Sequence, residues 1–434
     1  MTARLRQWLE SLAGSYWFIP MLLGLASIGL SLLTLRIDQD GRMDTLIAWG
    51  LLTSNGPDGA RSLLSTVAGS IITVAGVVFS LTMVVLTQAS NQFGPRLLVN
   101  FMHDRSNQVV LGSFVATFLY SLLVLRVVRV DNADLGVAEF VPHLSIGVAL
   151  LLTFVNVALL VYYFHHTAEG VRVSHVLAGI SRVMERRIEE MPMSGDDAPV
   201  EPEVPPDLYD DVAVLDAPEG GVLQSVAVGG LVALAREHDA VIRLLHVPGT
   251  FVWQGAPYAE VHPASAAGDV EGGLPEHLSL GEHRSLGQDL GFLFDELLEV
   301  ALRALSPSMN DPFTAVNCID RITQGLLLLD RRRPSPEAHA DEDGVARAVV
   351  PLQTRVQLAH HLFSELRPHV ARDLMLTERQ LEALRTLVHE VSDPALAQVL
   401  EEEFDALLAA ARTTLPERDV ARLPIDVGPP LRRT

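Results

Sequence analysis

Six polar side chains recur along one uncharged segment, at a spacing that could build a water-filled path or a packed helix face. We call them the polar stripe: Thr66, Ser70, Thr73, Ser80, Thr87 and Asn91. Steps of 4, 3, 7, 7 and 4 residues place all six on one side of a helix. Hydroxyl groups on a pore-lining helix can face water. Helix packing is the other interpretation, because small residues such as the nearby Gly69 and Gly76 let neighbouring helices approach closely.

A second cluster of polar residues and prolines lies in ALSPSMNDPFTAVNCID, residues 304–320. Its members, the corner motif, are Ser306, Pro307, Ser308, Asn310, Asp311, Pro312 and Thr314. The residue before a proline avoids the helical region, so one helix must end near Ser306. Asp311 followed by Pro312 is a strong helix start and predicts a corner between two antiparallel helices. The alternative is that this helix start also presents its amides and Asn310 to a ligand or a partner.

No residue pattern predicts catalysis or a bound cofactor. The sequence lacks Gly-x-Ser-x-Gly, His-Glu-x-x-His, phosphate-loop and dinucleotide-binding signatures. Its single cysteine, Cys318, falls on an apolar helix face and is predicted to be a buried thiol. Asp295, Glu296 and Glu299 could hold a cation only if they converged, and their spacing does not require convergence. We therefore expect a protein that is not an enzyme and that binds neither a cofactor nor a metal.

Four segments within the first 165 residues are long and apolar enough to cross a membrane. The predicted transmembrane helices run at about 17–35, 63–93, 107–129 and 142–164. The second contains 34 residues without a charge, which is roughly 50 Å of helix against a hydrocarbon core of about 30 Å. This helix must therefore project beyond the bilayer until Gly94, Pro95 and Arg96 end it at the inner mouth.

Charge divides the chain into two parts. Residues 1–164 hold 9 Arg and 9 Asp or Glu, whereas residues 165–434 hold 23 Arg and 44 Asp or Glu. The second part is therefore an acidic body in water and a poor match for nucleic acid, while the lipid bilayer is the partner of the first. Arginine is more frequent in the short segments on the side that holds both termini, which predicts cytoplasmic termini.

The acidic part divides into segments of different composition. We predict a helical connector at 166–192, a Pro- and acid-rich linker at 193–207, a small mixed α/β module at 208–262, a Gly-rich loop at 263–282, a helical domain at 283–415 and a flexible tail at 416–434. In the module, two β-prone runs around Pro218–Gly221 predict a hairpin that opens a ββαββ-like unit. Residues 331–344 are predicted to be a solvated loop. The expected fold class is mainly α, a four-helix transmembrane domain followed by a cytosolic α+β region.

Two long motifs carry a family resemblance. The segment SLLSTVAGSIITVAGVVFSLTMVVLTQASNQFGPRLL and the corner motif resemble a bacterial family of predicted membrane proteins, family twenty-two fifty-four among the domains of unknown function. The matching residues are Gln92, Phe93, Gly94, Pro95 and Arg96 and, in the corner motif, Ser306, Pro307, Asn310, Asp311, Pro312 and Thr314. The resemblance implies four membrane helices and a cytosolic C-terminal region, and it transfers no catalytic residue.

These patterns predict a homo-oligomeric ion channel or transporter in the bacterial cytoplasmic membrane. The second helix would line the path, and the cytosolic part would bind a regulatory ligand or gate a small ion. The alternative is a non-transporting, membrane-anchored sensor or scaffold, in which the helices only anchor the chain and the corner motif serves assembly.

Overall fold

The computed structural model of this chain describes residues 17–40, 56–94, 105–130, 139–170, 172–191, 202, 211–332 and 336–423. The chain forms two compact units, residues 1–175 and residues 176–434. Within the described part, the first unit holds the helices α1 (Phe18–Gln39), α2 (Pro57–Phe93), α3 (Arg105–Leu125) and α4 (His143–Gly170). All four are long and apolar enough to cross a membrane.

The four helices form an up-and-down bundle in which α3 packs against each of the other three. Glycine permits the closest approach: a Cβ atom on Gly112 of α3 would lie 2.9 Å from the Cα atom of Pro20 in α1. Two buried tyrosines tie the helices together through their hydroxyl groups. Tyr120 of α3 contacts Thr34 of α1 at 2.9 Å, and Tyr163 of α4 contacts Thr82 of α2 at 2.7 Å. Such bonds satisfy polar groups where no bulk water is available.

Four helix ends differ from the predicted bounds by four residues or more: α2 begins at Pro57 rather than at 63, α4 ends at Gly170 rather than at 164, and the ends of α1 and α3 also shift. The first helix continues past residue 35 to Gln39, and the carboxylate of Asp38 accepts bonds from the backbone amides of Leu144 and Ser145 at 2.9 and 3.0 Å. Asp38 therefore caps the start of α4 from another helix, which no local sequence pattern announces. The third helix ends at Leu125 rather than at residue 129. Arg129 instead forms an isolated β-bridge with Phe140.

After α4 the chain forms α5 (Val173–Glu189), and a mixed α and β region follows. Its elements are β1 (Ala213–Asp216), β2 (Gly221–Val226), α6 (Val228–Glu237), β3 (Val241–Leu244), β4 (Phe251–Val252), β5 (Pro257–His262), α7 (Ala267–Glu271), β6 (Leu278–Gly281), α8 (Gly291–Ala304), α9 (Pro312–Asp330), β7 (Ala338–Ala340), β8 (Ala346–Val349), α10 (Arg355–Val370), α11 (Leu374–Glu390), α12 (Pro394–Thr414) and α13 (Glu417–Val420). Short 3-10 turns lie at Ala264–Ala266 and Leu274–His277. The predicted fold class, mainly α with four apolar N-terminal helices, is confirmed.

The strands form two sheets. The larger has the order β1-β5-β3-β8-β7, in which only the β3–β8 pair is parallel, and the smaller has the order β4-β2-β6. Buried Leu231 of α6 packs with Ile242 of β3, Val261 of β5 and Ala348 of β8 in one apolar core. This core makes the region a unit that extends beyond the module predicted at 208–262.

Three predictions for this region were wrong. The segment 331–344, expected to be a solvated loop, contains the strand β7, which pairs with β8. Residues 263–282, expected to be a loop, contain α7 and β6. The runs around Pro218–Gly221 do not form a hairpin, because β1 pairs with β5 whereas β2 pairs with β4 and β6. The first error missed a local hairpin, because β7 and β8 flank the acidic turn Asp341–Gly344. The other two have a different cause: the partners of β1, β2 and β6 lie far away in the sequence, which local patterns cannot report.

The helical part of the second unit packs around buried contacts near a glycine. A Cβ atom on Gly325 of α9 would lie 2.6 Å from the Cε atom of Met184 in α5 and 2.8 Å from Cε1 of Phe294 in α8. Three helices therefore converge where glycine leaves room. The predicted linker at 193–207, apart from Pro202, lies outside the described residues. Of the flexible tail predicted at 416–434, residues 417–420 instead form α13 and Leu423 is buried, whereas the residues beyond 423 lie outside the described part.

Candidate functional site

The helix α2 has one face that packs inside the bundle and one that does not. Its buried face includes Leu64, Val67, Ile71, Ala75 and Val78. These residues join two apolar clusters with side chains of α3 and α4. This packing holds α2 in the unit through one face of the helix.

The polar stripe lies on the other face. All six of its members are exposed: Thr66, Ser70, Thr73, Ser80, Thr87 and Asn91. Val77 and Val84, which fill the gaps in the stripe, are 57% and 61% exposed. A Cβ atom added to Gly69 or Gly76 would have no neighbour within 4 Å. Within the residues that the structure describes, no helix of the chain covers the stripe.

The threonines of the stripe satisfy their hydroxyl groups locally. Thr66 donates to the carbonyl oxygen of Ser62 at 2.8 Å, and Thr73 donates to that of Gly69 at 2.8 Å. Thr87 donates to the carbonyl oxygen of Met83 at 2.9 Å. Each bond reaches back one helical turn, so the hydroxyl oxygen still has a free lone pair directed outward. The stripe can therefore accept a bond from water or from a facing helix.

The predicted end of this helix is in place as far as the structure describes it. The last residue of α2 is Phe93, and the Gly94 amide donates to the Ser90 carbonyl at 3.0 Å. Gly94 has φ +100° and ψ 158°, an extended positive-φ conformation that essentially only glycine adopts. Pro95 and Arg96, the remainder of the predicted inner mouth, lie outside the described residues.

Inside the bundle, one asparagine joins two helices. The side-chain amide of Asn156 in α4 donates to the Thr117 hydroxyl at 2.7 Å and accepts from the Ser113 hydroxyl at 2.8 Å, both on α3. Asn156 therefore bonds across helices, whereas the Thr153 hydroxyl donates to the Ala149 carbonyl of its own helix at 2.7 Å.

The corner motif links α8 to α9. Asp311 accepts from the Thr314 amide at 3.1 Å and from the Thr314 hydroxyl at 2.6 Å, so it is the N-cap of α9. The Ser306 and Ser308 hydroxyls contact each other at 3.1 Å. Asn310 adopts φ +46°, which asparagine tolerates better than most residues. Pro307 and Ser308 are exposed, whereas Pro312 is half-buried as the first residue of α9. The motif therefore builds and caps a tight corner.

The acids on α8 do not converge. Asp295 pairs with the Arg284 guanidinium at 2.5 Å and with the His361 ring at 3.0 Å, whereas Glu299 pairs with Arg303 at 3.0 Å on its own helix. Glu296 is buried. Among the residues that the structure describes, no group of three or more His, Cys, Asp and Glu side chains could hold a metal ion.

Cys318 lies just inside α9 and is fully buried. Burial raises the pKa of its thiol to about 12 because the thiolate is poorly solvated there, an effect that Arg321 opposes and Asp311 reinforces. The predicted buried thiol is confirmed, and this cysteine is not a nucleophile near neutral pH.

Comparison with known proteins identifies the family. The family model described as "Predicted membrane protein (DUF2254)" matches residues 13–386, most of the chain. The chain belongs to this family. Two uncharacterized proteins, one from Mycobacterium bovis and one from Mycobacterium tuberculosis, are each 28% identical over 420 residues, which span 95% of this chain and 79% of the relative. No solved structure matches the chain significantly.

As a member of the DUF2254 family with four candidate spans, the chain is a membrane protein whose first unit lies in the lipid bilayer. The family description names no activity.

Proposed function

We propose that this protein is a homo-oligomeric ion channel or transporter in which copies of α2 surround the conducting path. The observation that carries the proposal is the exposed polar stripe. Six polar residues and two glycines align on a face of α2 that the helices in the described part of the chain leave uncovered. A polar, small-residue face in a membrane is suited to a facing helix or to water rather than to acyl chains.

In an oligomer, the stripe would serve both as a helix-packing face and as the lining of the path. Where copies of α2 cross, Gly69 and Gly76 would allow close approach, and where they splay apart, Ser80 and Thr87 would face the axis. The acidic second unit would lie in the cytoplasm and regulate the path, in line with the arginine bias of the short segments. No catalytic role is proposed.

A non-transporting, membrane-anchored sensor or scaffold is the second candidate. It is favoured by the local bonds of Thr66, Thr73 and Thr87, since hydroxyl groups satisfied within their own helix cost little next to lipid. In that case the stripe would be a packing face without water, and the corner motif would serve assembly.

Oligomerisation is tested by cysteine cross-linking in native membranes. Ser80→Cys places a thiol on the stripe, and Val161→Cys places one on an exposed site of α4. The two sites lie at matched depth, because each precedes by two residues a member of the contacting Thr82–Tyr163 pair. Buried Cys318 needs no replacement. We expect Ser80→Cys to form covalent dimers with an oxidant and Val161→Cys to form few. Equal dimer yields would contradict the proposal.

Transport is tested with the same two positions. The full chain is reconstituted into liposomes, and ion flux is measured under an applied potential and under osmotic stretch. We expect Ser80→Trp to reduce flux by about tenfold or more by obstructing the path, whereas Val161→Trp leaves flux unchanged. Cross-linking at Ser80 without any flux would favour the scaffold. Flux that is equally insensitive to both variants would place the path elsewhere.

A further inference from the structure

A second feature of the membrane unit is an apolar groove between α1 and α2, floored by α3. Its volume is about 590 Å³. The α1 wall includes Met21 and Leu25, the α2 wall contributes Phe79, and the floor includes Leu111 and Val115 of α3. It lies on the flank of α2 rather than on the polar stripe. All of its lining residues are apolar, and they belong to helices that can cross a membrane, apart from Trp17 directly before α1.

The composition of the groove differs from that of a helix-packing face. Protein helices associate in membranes through small and hydroxyl-bearing residues, which the polar stripe of α2 supplies. The groove instead presents large flexible side chains, with Met21 and Leu25 61% and 58% exposed. Its volume falls in the roughly 300–1,000 Å³ range of pockets that hold ligands. Hydrocarbon is the ligand that such a lining can accept without an unsatisfied polar group.

The ends of the helices supply a place for a head group. Two contacts show that α1 and α3 are parallel, because Pro20 lies against Gly112 and Thr34, farther along α1, lies against Tyr120, farther along α3. Trp17 and Arg105 therefore lie at the same end of the bundle. Both are exposed. A tryptophan at the start of a span is suited to the interfacial layer, and an arginine there attracts a phosphate.

We propose that the groove between α1 and α2 binds one acyl chain of an anionic phospholipid whose phosphate lies near Arg105. This site is separate from the conducting path and does not depend on it. The bound lipid would fill the space that α1 and α2 leave open beside α3, and it would make the packing of the unit depend on lipid composition.

Native mass spectrometry of the full chain tests the proposal. The protein is purified from vesicles of equimolar phosphatidylglycerol and phosphatidylcholine, and retained lipid is counted per chain. We expect one phosphatidylglycerol to be retained preferentially. Val115→Trp, which fills the floor, should lower its occupancy by about tenfold, and Leu25→Trp in the wall should act in the same direction.

Leu22→Trp is the matched control, because Leu22 lies one turn from Leu25 on α1, is 55% exposed and does not line the groove. It should retain lipid as the unmodified chain does. Equal retention in Leu25→Trp and Leu22→Trp, or retention without preference for the anionic lipid, would overturn the proposal. Loss of oligomers rather than of lipid in Val115→Trp would identify a second copy of the chain as the occupant and would also overturn it.

Discussion

At the scale of single residues, the reactivity of the Cys318 thiol is determined by its surroundings. It is fully buried, and its pKa of about 12 leaves almost no thiolate at neutral pH. A cysteine that is neither accessible nor ionised cannot react quickly with a maleimide. Because it is the sole cysteine of the chain, its reactivity reports on the opening of α9 alone.

We expect Cys318 to react with maleimide at pH 8 at least about a thousandfold more slowly in the folded protein than in urea, since the thiolate fraction alone falls by that order. Ser308→Cys, in the exposed part of the corner motif, should react quickly in the same folded chain. Rapid labelling of Cys318 without urea would contradict the buried position.

Sequence reasoning succeeded for residues whose signal is local. Asp311 before Pro312 predicted a capped helix start, and the cap is present at 3.1 Å. It failed where a side chain acts on a distant segment. Asp38 caps α4 although it lies more than a hundred residues earlier in the sequence, and the Tyr163 hydroxyl bonds to that of Thr82 on another helix. The position of the polar stripe was predictable from spacing, but its exposure was not, because exposure depends on where α3 and α4 pack.

At the scale of elements, the close approach of α1 and α3 depends on Gly112, which has no side chain. A Cβ atom on Gly112 would lie 2.8 Å from Cδ1 of Leu23 and 2.9 Å from the Cα atom of Pro20. The leucine can rotate away, but the backbone of α1 cannot. The two helices would therefore have to separate to admit a methyl group.

Gly112→Ala should destabilise the membrane unit by about 1–3 kcal/mol through overpacking, seen as a lower thermal unfolding temperature in detergent. Gly29→Ala is the control, because no atom lies within 4 Å of a Cβ atom at that position of α1. It should leave the unfolding temperature unchanged or raise it slightly, as alanine favours the helix. A lower unfolding temperature for Gly29→Ala but not for Gly112→Ala would contradict the conclusion that Gly112 sets the distance between α1 and α3.

The strands of the second unit show which elements local sequence patterns cannot predict. β8 contains only Ala346–Val349, and it enters the larger sheet by pairing in parallel with β3, about a hundred residues earlier. Parallel partners are joined by long connections, so neither a turn residue nor an alternating pattern marks them. The long apolar helices were predictable because length and composition suffice for them.

At the scale of the whole molecule, charge is the dominant asymmetry. The net charge of −21 resides in residues 165–434, so the folded second unit brings many like charges together. Their repulsion opposes folding and is long-ranged at low ionic strength. The ion pair of Glu403 with Arg367 at 2.8 Å is mostly shielded from solvent and should respond less to salt.

Raising the salt concentration from 0.01 to 0.15 M shortens the Debye length from about 30 Å to about 8 Å. We therefore expect the second unit to unfold at a higher temperature at the higher salt concentration, with Cys318 labelling as the readout for that unit. Equimolar sucrose serves as the uncharged control. A lower unfolding temperature at 0.15 M salt would mean that attractive surface pairs outweigh the repulsion.

The length of α2 has a mechanical consequence. Its 37 residues form a rod of roughly 55 Å, whereas the hydrocarbon layer is about 30 Å thick. When a bilayer thins or thickens, a helix of this length adjusts by tilting, and its ends then move sideways farther than its middle does. Because one rigid element carries the motion, a small strain in the lipid is magnified at Phe93 and Gly94, where the rod ends.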